Sequence, residues 1–318
     1  MRDLSVVVIG LNEEKLLASA LRSVLDTSPG CRFSELIYVD SGSCDRSVEI
    51  ASGIDGFRVL LLNSNVPSAA KARNLGLRNV HGDFVQLLDG DSVLQPGWLS
   101  NAMAYLIANP DVACVFGQVL EMNPDQSIYM RVCGLDWHVP QGEYRLCGGN
   151  AMWRREVLEA AVFFDEKFAF GEEPDLCYRV RQKGWRIRCI DAPMVKHDLG
   201  MTHFSQYWRR AENSGKAYIR VAARYWRQPE KLWLYESVRN FVEPALWITI
   251  LTAGSWFGSL GFGLLGLAAW VMLRTARTAF KIRNRVKCWQ DAFLYGFHTQ
   301  LIRLPIAVGQ IKALFIGR

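Results

Sequence analysis

Gly82-Asp83-Phe84-Val85-Gln86-Leu87-Leu88-Asp89-Gly90-Asp91 decides the fold of this chain. Phe84 to Leu88 reads as a short buried strand, bounded by a turn before it and by charge after it. Two carboxylates separated by one glycine then follow at the strand's end. Such a pair can share a hard divalent cation, which in turn bridges two phosphate oxygens, and the glycine lets the backbone turn between them. An acidic turn of this kind also occurs in solvated loops, so its surroundings decide what it means.

Working outward, strands and helices alternate. Val6 to Ile9 reads as a strand and Glu14 to Leu25 as an amphipathic helix. Leu36 to Val39 is a second strand that ends in Asp40-Ser41-Gly42-Ser43. Asp45 is placed to cap a helix carrying Val48, Ile50 and Ala51. Phe57 to Leu61 is a third strand and Ala69 to Val80 a further helix, which makes Phe84 to Leu88 the fourth strand. This rhythm predicts an α/β fold with a mostly parallel sheet and helices on both faces. Ligands of such sheets collect outside the carboxyl ends of the strands, where Asn12, Asp40 and Asp89 fall. Downstream, Trp98 to Asn109 reads as a helix stopped by Pro110, and Val112 to Val119 as a strand. Asn123 to Leu146 reads as loops around an acceptor. Ala151 to Ala161 and Glu172 to Lys183 read as helices, the second stopped by Gly184.

The 318 residues carry a net charge of +6, with much of the basic excess in the last third. That placement favours an anionic membrane surface, and no nucleic-acid reader motif accompanies it. The eight cysteines are scattered without a CxxC pair, so buried reduced thiols are expected rather than a metal cluster. Ser5 to Ile9 is too short for a signal-peptide core and runs into Asn12-Glu13-Glu14, so the first domain is expected to stay in the cytoplasm.

The motifs together resemble family 2 glycosyltransferases, which have the GT-A fold. Val8-Ile9-Gly10-Leu11-Asn12-Glu13-Glu14 is similar to that family's first-strand motif. Tyr38-Val39-Asp40-Ser41-Gly42-Ser43-Cys44-Asp45 is similar to its "DDGSxD" turn, with Ser41 replacing the second Asp. Ala72-Arg73-Asn74-Leu75-Gly76, Gly82-Asp83-Phe84 and Leu87-Leu88-Asp89-Gly90-Asp91 follow its "ARNxG … GDF … LDxD" run. Phe164-Asp165-Glu166, Phe168 and Gly171-Glu172-Glu173-Pro174-Asp175-Leu176, then Tyr178-Arg179, resemble its "FDExF … GEDxDLxxR" segment. The run covers roughly residues 4 to 210.

The resemblance implies an inverting sugar transfer from a nucleoside-diphosphate sugar, with a lean toward UDP. It places Asp40 against the donor base and ribose, and Arg73 within reach of base or phosphate, with Asn12, Glu13, Ser41, Lys71 and Gly90 lining the donor site. It implies a divalent cation, Mn2+ or Mg2+, on Asp91, with Asp89 on the cation, its water or the ribose and His197 as a third ligand. Glu173 occupies the position of the general base that takes the acceptor's proton, and adjacent Glu172 stays open as its alternative. Asp175, behind Pro174, reads as a helix N-terminal structural acid. Cys147-Gly148-Gly149-Asn150 reads either as a backbone approach to phosphate or acceptor or as a plain turn. Gln206-Tyr207-Trp208-Arg209-Arg210 does not match the "QxxRW" motif of processive members.

The last third differs in character. Residues 1–215 are expected to form the transferase domain and 216–318 a helical membrane-attachment region. Ala245 to Leu273 holds 29 residues without a charged side chain. As one helix it would run about 43 Å, more than a bilayer core of about 30 Å requires. Basic clusters flank it on both sides, and a re-entrant helical hairpin keeps both on the cytoplasmic face where a single span would not. Residues 292–316 read as an interfacial helix. The expectation is a metal-dependent transferase on the cytoplasmic face of a bacterial inner membrane, acting on a lipid-linked or other membrane-presented acceptor. Nucleotidyl transfer and a non-catalytic membrane scaffold are the alternatives. The first lacks its glycine- and lysine-rich phosphate loop, and the second is opposed by the intact acids Asp89, Asp91 and Glu173.

Overall fold

A computed structural model describes residues 3–26, 32–137 and 139–315. They form two compact units, one of Met1–Asn123 with Trp137–Leu199 and one of Pro124–Asp136 with Gly200–Arg318.

The first unit opens with β1 (Leu4–Gly10), α1 (Leu17–Asp26), β2 (Phe33–Asp40), α2 (Ser47–Ser52), β3 (Phe57–Leu61), α3 (Ala69–Leu77) and β4 (Phe84–Asp89). β2 and β4 pair in parallel with the two edges of β1, and β3 pairs in parallel with β2. All seven residues of β1 are consequently buried. The expected alternation is present in this half, and its strands end together at Gly10, Asp40 and Asp89.

The second half of the sheet is mixed, which corrects the mostly parallel expectation. It contains β5 (Ser92–Leu94), α4 (Trp98–Ala108) and β6 (Val112–Glu121). After α5 (Ile128–Asp136), which belongs to the other unit, come β7 (Gly142–Tyr144), β8 (Ala151–Arg154), α6 (Arg155–Ala160), α7 (Glu172–Arg181) and β9 (Arg186–His197). The order is β3-β2-β1-β4-β8-β6-β9-β5, with β7 on β9. β8 runs antiparallel to both β4 and β6, β5 and β7 run antiparallel to β9, and only β6 and β9 are parallel.

Two expected elements change here. Ala151 to Ala161 is not one helix, because its first four residues are strand β8. Trp153 sits opposite Val85 on one side and Cys114 on the other. Two ladders outweigh helix propensity in so short a buried run. Asn123 to Leu146 is not all loop, since it supplies α5 and β7.

The second unit is helical: α5, α8 (Phe204–Tyr225), α9 (Leu234–Phe257), α10 (Leu260–Ile282), α11 (Trp289–Leu301) and α12 (Arg303–Phe315). α8 runs unbroken through residue 215. The apolar stretch folds as a helical hairpin that turns at Gly258 and Ser259. The arms of the hairpin touch at glycines, where a Cβ on Gly254 would lie 2.4 Å from the Gly263 Cα. Among the described residues, no helix is long and apolar enough to cross a membrane. The single interfacial helix expected over 292–316 is instead α11 and α12, broken at Ile302, with Ile316 outside the described residues. Ala292, His298 and Gln300 of α11 and Ile306 and Gln310 of α12 are buried, so neither helix presents only a surface face.

Candidate active site

The carboxyl ends of β1, β2 and β4 frame a cleft of about 240 Å³ lined by Gly10, Glu13, Ser41, Ser68 and the whole Asp89-Gly90-Asp91 turn. The turn is held from several sides. The Gly90 backbone N–H donates to the Ile9 carbonyl at 2.8 Å. The Asp89 backbone N–H donates to Oδ1 of Asn150, whose Nδ2 donates to the Ser92 hydroxyl at 3.1 Å.

Arg73 is the hub behind the turn. It is 4% exposed, and its guanidinium spans three carboxylates. Nη2 donates to Asp89 at 3.0 Å, while Nη1 donates to Glu172 and Glu173 at 3.1 Å each. Burial works against its charge, but Asp89, Glu173 and Glu172 outweigh burial and hold its pKa above the ordinary arginine value. Arg73, expected to reach base or phosphate, here has its fork on acids within the protein. One cation cannot neutralise three anions. Burial, then repulsion from Glu173, pushes Glu172 up to about 7 despite Arg73. Glu173 is the more open of the two glutamates, with 22% of its side chain exposed against 7%.

Asp91 and His197 meet on the other side of the turn. His197 ends β9, which pairs with Ser92 of β5, and its Nε2 lies 3.1 Å from Oδ2 of Asp91. The Trp137 ring stands edge-on to the imidazole, with centroids 5.0 Å apart. Glu13 is pushed up to about 7 by burial and then by Asp91 and Asp89, against the pull of His197. An unneutralised cluster of acids beside an imidazole is the donor chemistry that suits a divalent cation such as Mn2+. Asp91 and His197 are the pair that would hold one, with Asp89 and Glu13 nearby; among the described residues, no group of three or more His, Cys, Asp or Glu side chains is gathered around a common metal position.

Three residues expected at the donor also hold the loops around it. Asp40 is 1% exposed. Its Oδ1 accepts from the backbone N–H groups of Gly42 and Ser43, and its Oδ2 accepts from the Tyr38 hydroxyl. Its Oδ1 thereby shapes the turn at the end of β2. Asn12 has a left-handed backbone (φ 59°), and its side chain accepts from the Cys44 N–H, tying the β1 turn to the β2 turn. Lys71 donates to Ser64 and to the Val66 carbonyl. Asp175 is fully buried against Arg179 at 2.8 Å, a structural pair.

Sequence reasoning missed Asn150 as the holder of Asp89, Trp137 as the wall of His197, and Arg73 as a bridge across the site. Asn150 does follow the Cys147-Gly148-Gly149 turn that was singled out. The other two are joined only by long-range folding. The thiols behave as expected: Cys114, Cys147 and Cys177 are buried and free, with neighbouring Sγ atoms 3.6 Å apart.

Residues 5–161 match the Glycosyl transferase family 2 model. This segment is a family 2 glycosyltransferase domain. Over 305 residues the chain is 26% identical to the pre-mycofactocin glycosyltransferase of Mycobacterium tuberculosis, covering 92% of this chain and 60% of that protein. Hyaluronan synthase of Pasteurella multocida is 25% identical over 61% of this chain and 24% of its own. The chain thus spans less than two thirds of the length of these relatives, 60% of the first and 24% of the second. A mannosyltransferase from Pyrobaculum calidifontis, solved with GDP-Man and Mn2+, superimposes with a TM-score of 0.62 at 16% identity, covering 99% of this chain and 88% of that one. S. aureus TarS superimposes with a TM-score of 0.56 at 17% identity, over 100% and 92%. Glu172, Glu173 and His197 lie after residue 161, outside the matched segment but in the same compact unit.

Proposed function

We propose that this chain transfers a sugar from a nucleoside-diphosphate donor to an acceptor presented at a membrane, with inversion at the anomeric carbon. The observation that carries the reading is Arg73, which fixes Asp89 of the phosphate-facing turn and the Glu172–Glu173 pair on one guanidinium. A donor held at the first would present its sugar toward the second. The names of the relatives and the GDP-Man bound to the Pyrobaculum neighbour support the donor class.

The chain's own groups divide the work. Asp89 and Asp91 frame the diphosphate side, with Asp91 and His197 as holders of a divalent cation. When bound, the cation would stabilise negative charge on the leaving phosphate. Glu172, raised by burial, keeps a proton near neutrality and leaves the negative charge on the more exposed Glu173. Glu173 is then the base that takes the acceptor hydroxyl's proton as that oxygen attacks. Arg73 keeps this carboxylate in place.

Asp40 stays the residue proposed for the donor base, and the GDP-Man of the Pyrobaculum neighbour is a second donor to consider. GDP-sugars belong beside UDP-sugars in the test. A panel of both, assayed for Mn2+-dependent release of nucleoside diphosphate with an EDTA control, decides the reading. Turnover with one or more donors is expected. The absence of metal-dependent binding or hydrolysis with every donor would overturn it.

The membrane part of the proposal rests on the α9–α10 hairpin, whose end exposes Trp256, Phe257, Leu260, Phe262 and Leu265 to between 62% and 88%. Such a contiguous patch fits a bilayer, and the basic residues at the other end of the hairpin fit anionic headgroups. The proposed location is the cytoplasmic face of a bacterial inner membrane.

A further inference from the structure

The second unit contains a larger cavity than the transferase cleft, and the proposed transfer reaction makes no use of it. It measures about 510 Å³ and lies at the base of the α9–α10 hairpin, away from the apolar turn. Five basic side chains line it: Arg239, Arg274, Lys281, Arg285 and Arg303. Its acids are Asp136 and Glu236, so the lining carries a positive excess of three. A second hollow of about 460 Å³ shares Arg239, Arg274 and Lys281 and adds Arg277.

The internal partners do not consume this charge. Glu243 takes Arg274 at 2.8 Å and Arg239 at 3.5 Å. Asp136 accepts from the Tyr295 hydroxyl and faces His298 Nε2 at 3.5 Å. Arg303 donates from Nη1 to Asn240 at 2.7 Å, but its Nε is buried without a partner among the described residues. A guanidinium N–H left unsatisfied inside a protein is costly and calls for an acceptor. Burial, and then the neighbouring Arg239, also push the Arg303 pKa below its ordinary value. An oxyanion in the cavity would offset the repulsion between Arg303 and Arg239, and planar guanidinium forks match the oxygens of phosphate better than a point cation does.

We propose that the second unit binds a phosphate oxyanion in this cavity, supplied by an anionic phospholipid headgroup or by soluble phosphate. The position suits a headgroup. At 1.5 Å per residue, Arg274 lies about 21 Å and Arg239 about 27 Å along its helix from the apolar end, so an inserted hairpin tip leaves the cavity near the bilayer surface. The phosphate site stands independently of the sugar-transfer reading, because its residues lie outside the transferase unit.

The test uses the full chain in EDTA, which removes metal-dependent diphosphate binding at Asp91. Calorimetry measures inorganic phosphate and pyrophosphate, and co-sedimentation compares phosphatidylcholine vesicles with and without phosphatidylglycerol. Saturable anion binding is expected, weakened about tenfold or more by R303Q. R303Q strands Asn240 and could disturb folding. The double variant K281Q/R285Q changes two exposed side chains and is expected to weaken binding in the same direction. Loss of phosphatidylglycerol-dependent sedimentation in the double variant identifies the headgroup as the source. Loss of pyrophosphate binding alone identifies soluble phosphate. Absence of anion binding, or binding that neither variant changes, overturns the proposal.

Discussion

Gly149 lies so close to Arg73 that a Cβ there would fall 2.1 Å from Nη2 of the guanidinium. It would also lie 3.0 Å from Oδ2 of Asp89. The glycine is therefore part of the device that lets one arginine span the site, because any side chain at 149 displaces the fork from its acids. G149A is expected to reduce kcat by about two orders of magnitude, the scale on which an ångström of misplacement acts in a preorganised site. Far-ultraviolet circular dichroism should remain that of the wild type. Unchanged kcat in G149A would show that Arg73 does not organise the reacting groups.

Replacing Arg73 itself tests the same hub for stability. R73M leaves Asp89, Glu172 and Glu173 facing one another without a cation. Breaking a buried charge cluster by removing one partner typically costs about 3–5 kcal/mol. Chemical denaturation at neutral pH should show a loss on that scale, shrinking as the pH is lowered and the glutamates take up protons. A variant as stable as the wild type at neutral pH would mean that the three carboxylates relax apart once Arg73 is gone.

Glu172 gives a pH dependence with a definite sign. Its folded pKa is raised from 4.5 to about 7, chiefly by burial and then by Glu173. The folded chain therefore binds this proton more tightly than the unfolded chain does, and stability falls as pH rises from about 4.5 through about 7. E172Q removes that titration while Asp89 and Glu173 still balance Arg73. Its denaturation midpoint relative to wild type should rise between pH 5 and pH 8. A difference that stays flat across this window would remove the buried-proton account of the pair.

Part of this site could be read along the chain, for a physical reason. β1 and β4 are paired on both edges, so they read as apolar runs ending abruptly at polar turns. Asp89, Gly90 and Asp91 are neighbours whose geometry is local. The rest depends on contacts across many residues. Nothing near Arg73 in sequence indicates that Glu172 and Glu173, a hundred positions on, complete its coordination. Ala151-Met152-Trp153-Arg154 carries no period that separates a buried helix turn from a strand, and its ladder partners β4 and β6 decide. The turn that Asp40 makes with the backbone N–H groups of Gly42 and Ser43 is local, and the hydroxyl of Tyr38 two residues before it adds a third contact. The turn at Gly258 and Ser259 was readable only as a cluster of glycines, and the charged flanks were what suggested a hairpin.

The assignment of roles to Glu173 and Asp91 separates cleanly in kinetics. Glu173 is argued to act on the acceptor's proton and Asp91 on the donor's diphosphate, although the two lie in one site. E173Q keeps a hydrogen-bonding side chain of the same size for Arg73 and removes the proton acceptor. Its kcat should fall by about 10²–10⁴-fold, with donor affinity in the presence of Mn2+ unchanged. D91N weakens a cation ligand, so donor affinity should fall with it and should respond to added Mn2+. The Glu173 effect should also survive a change of acceptor, whereas the Asp91 effect should appear even in donor hydrolysis without acceptor. If E173Q retains wild-type turnover while E172Q loses it, the base is Glu172, and the more buried carboxylate performs the chemistry. If neither variant loses turnover, the base lies outside the Arg73 cluster, and the geometric case for inverting transfer at this site fails.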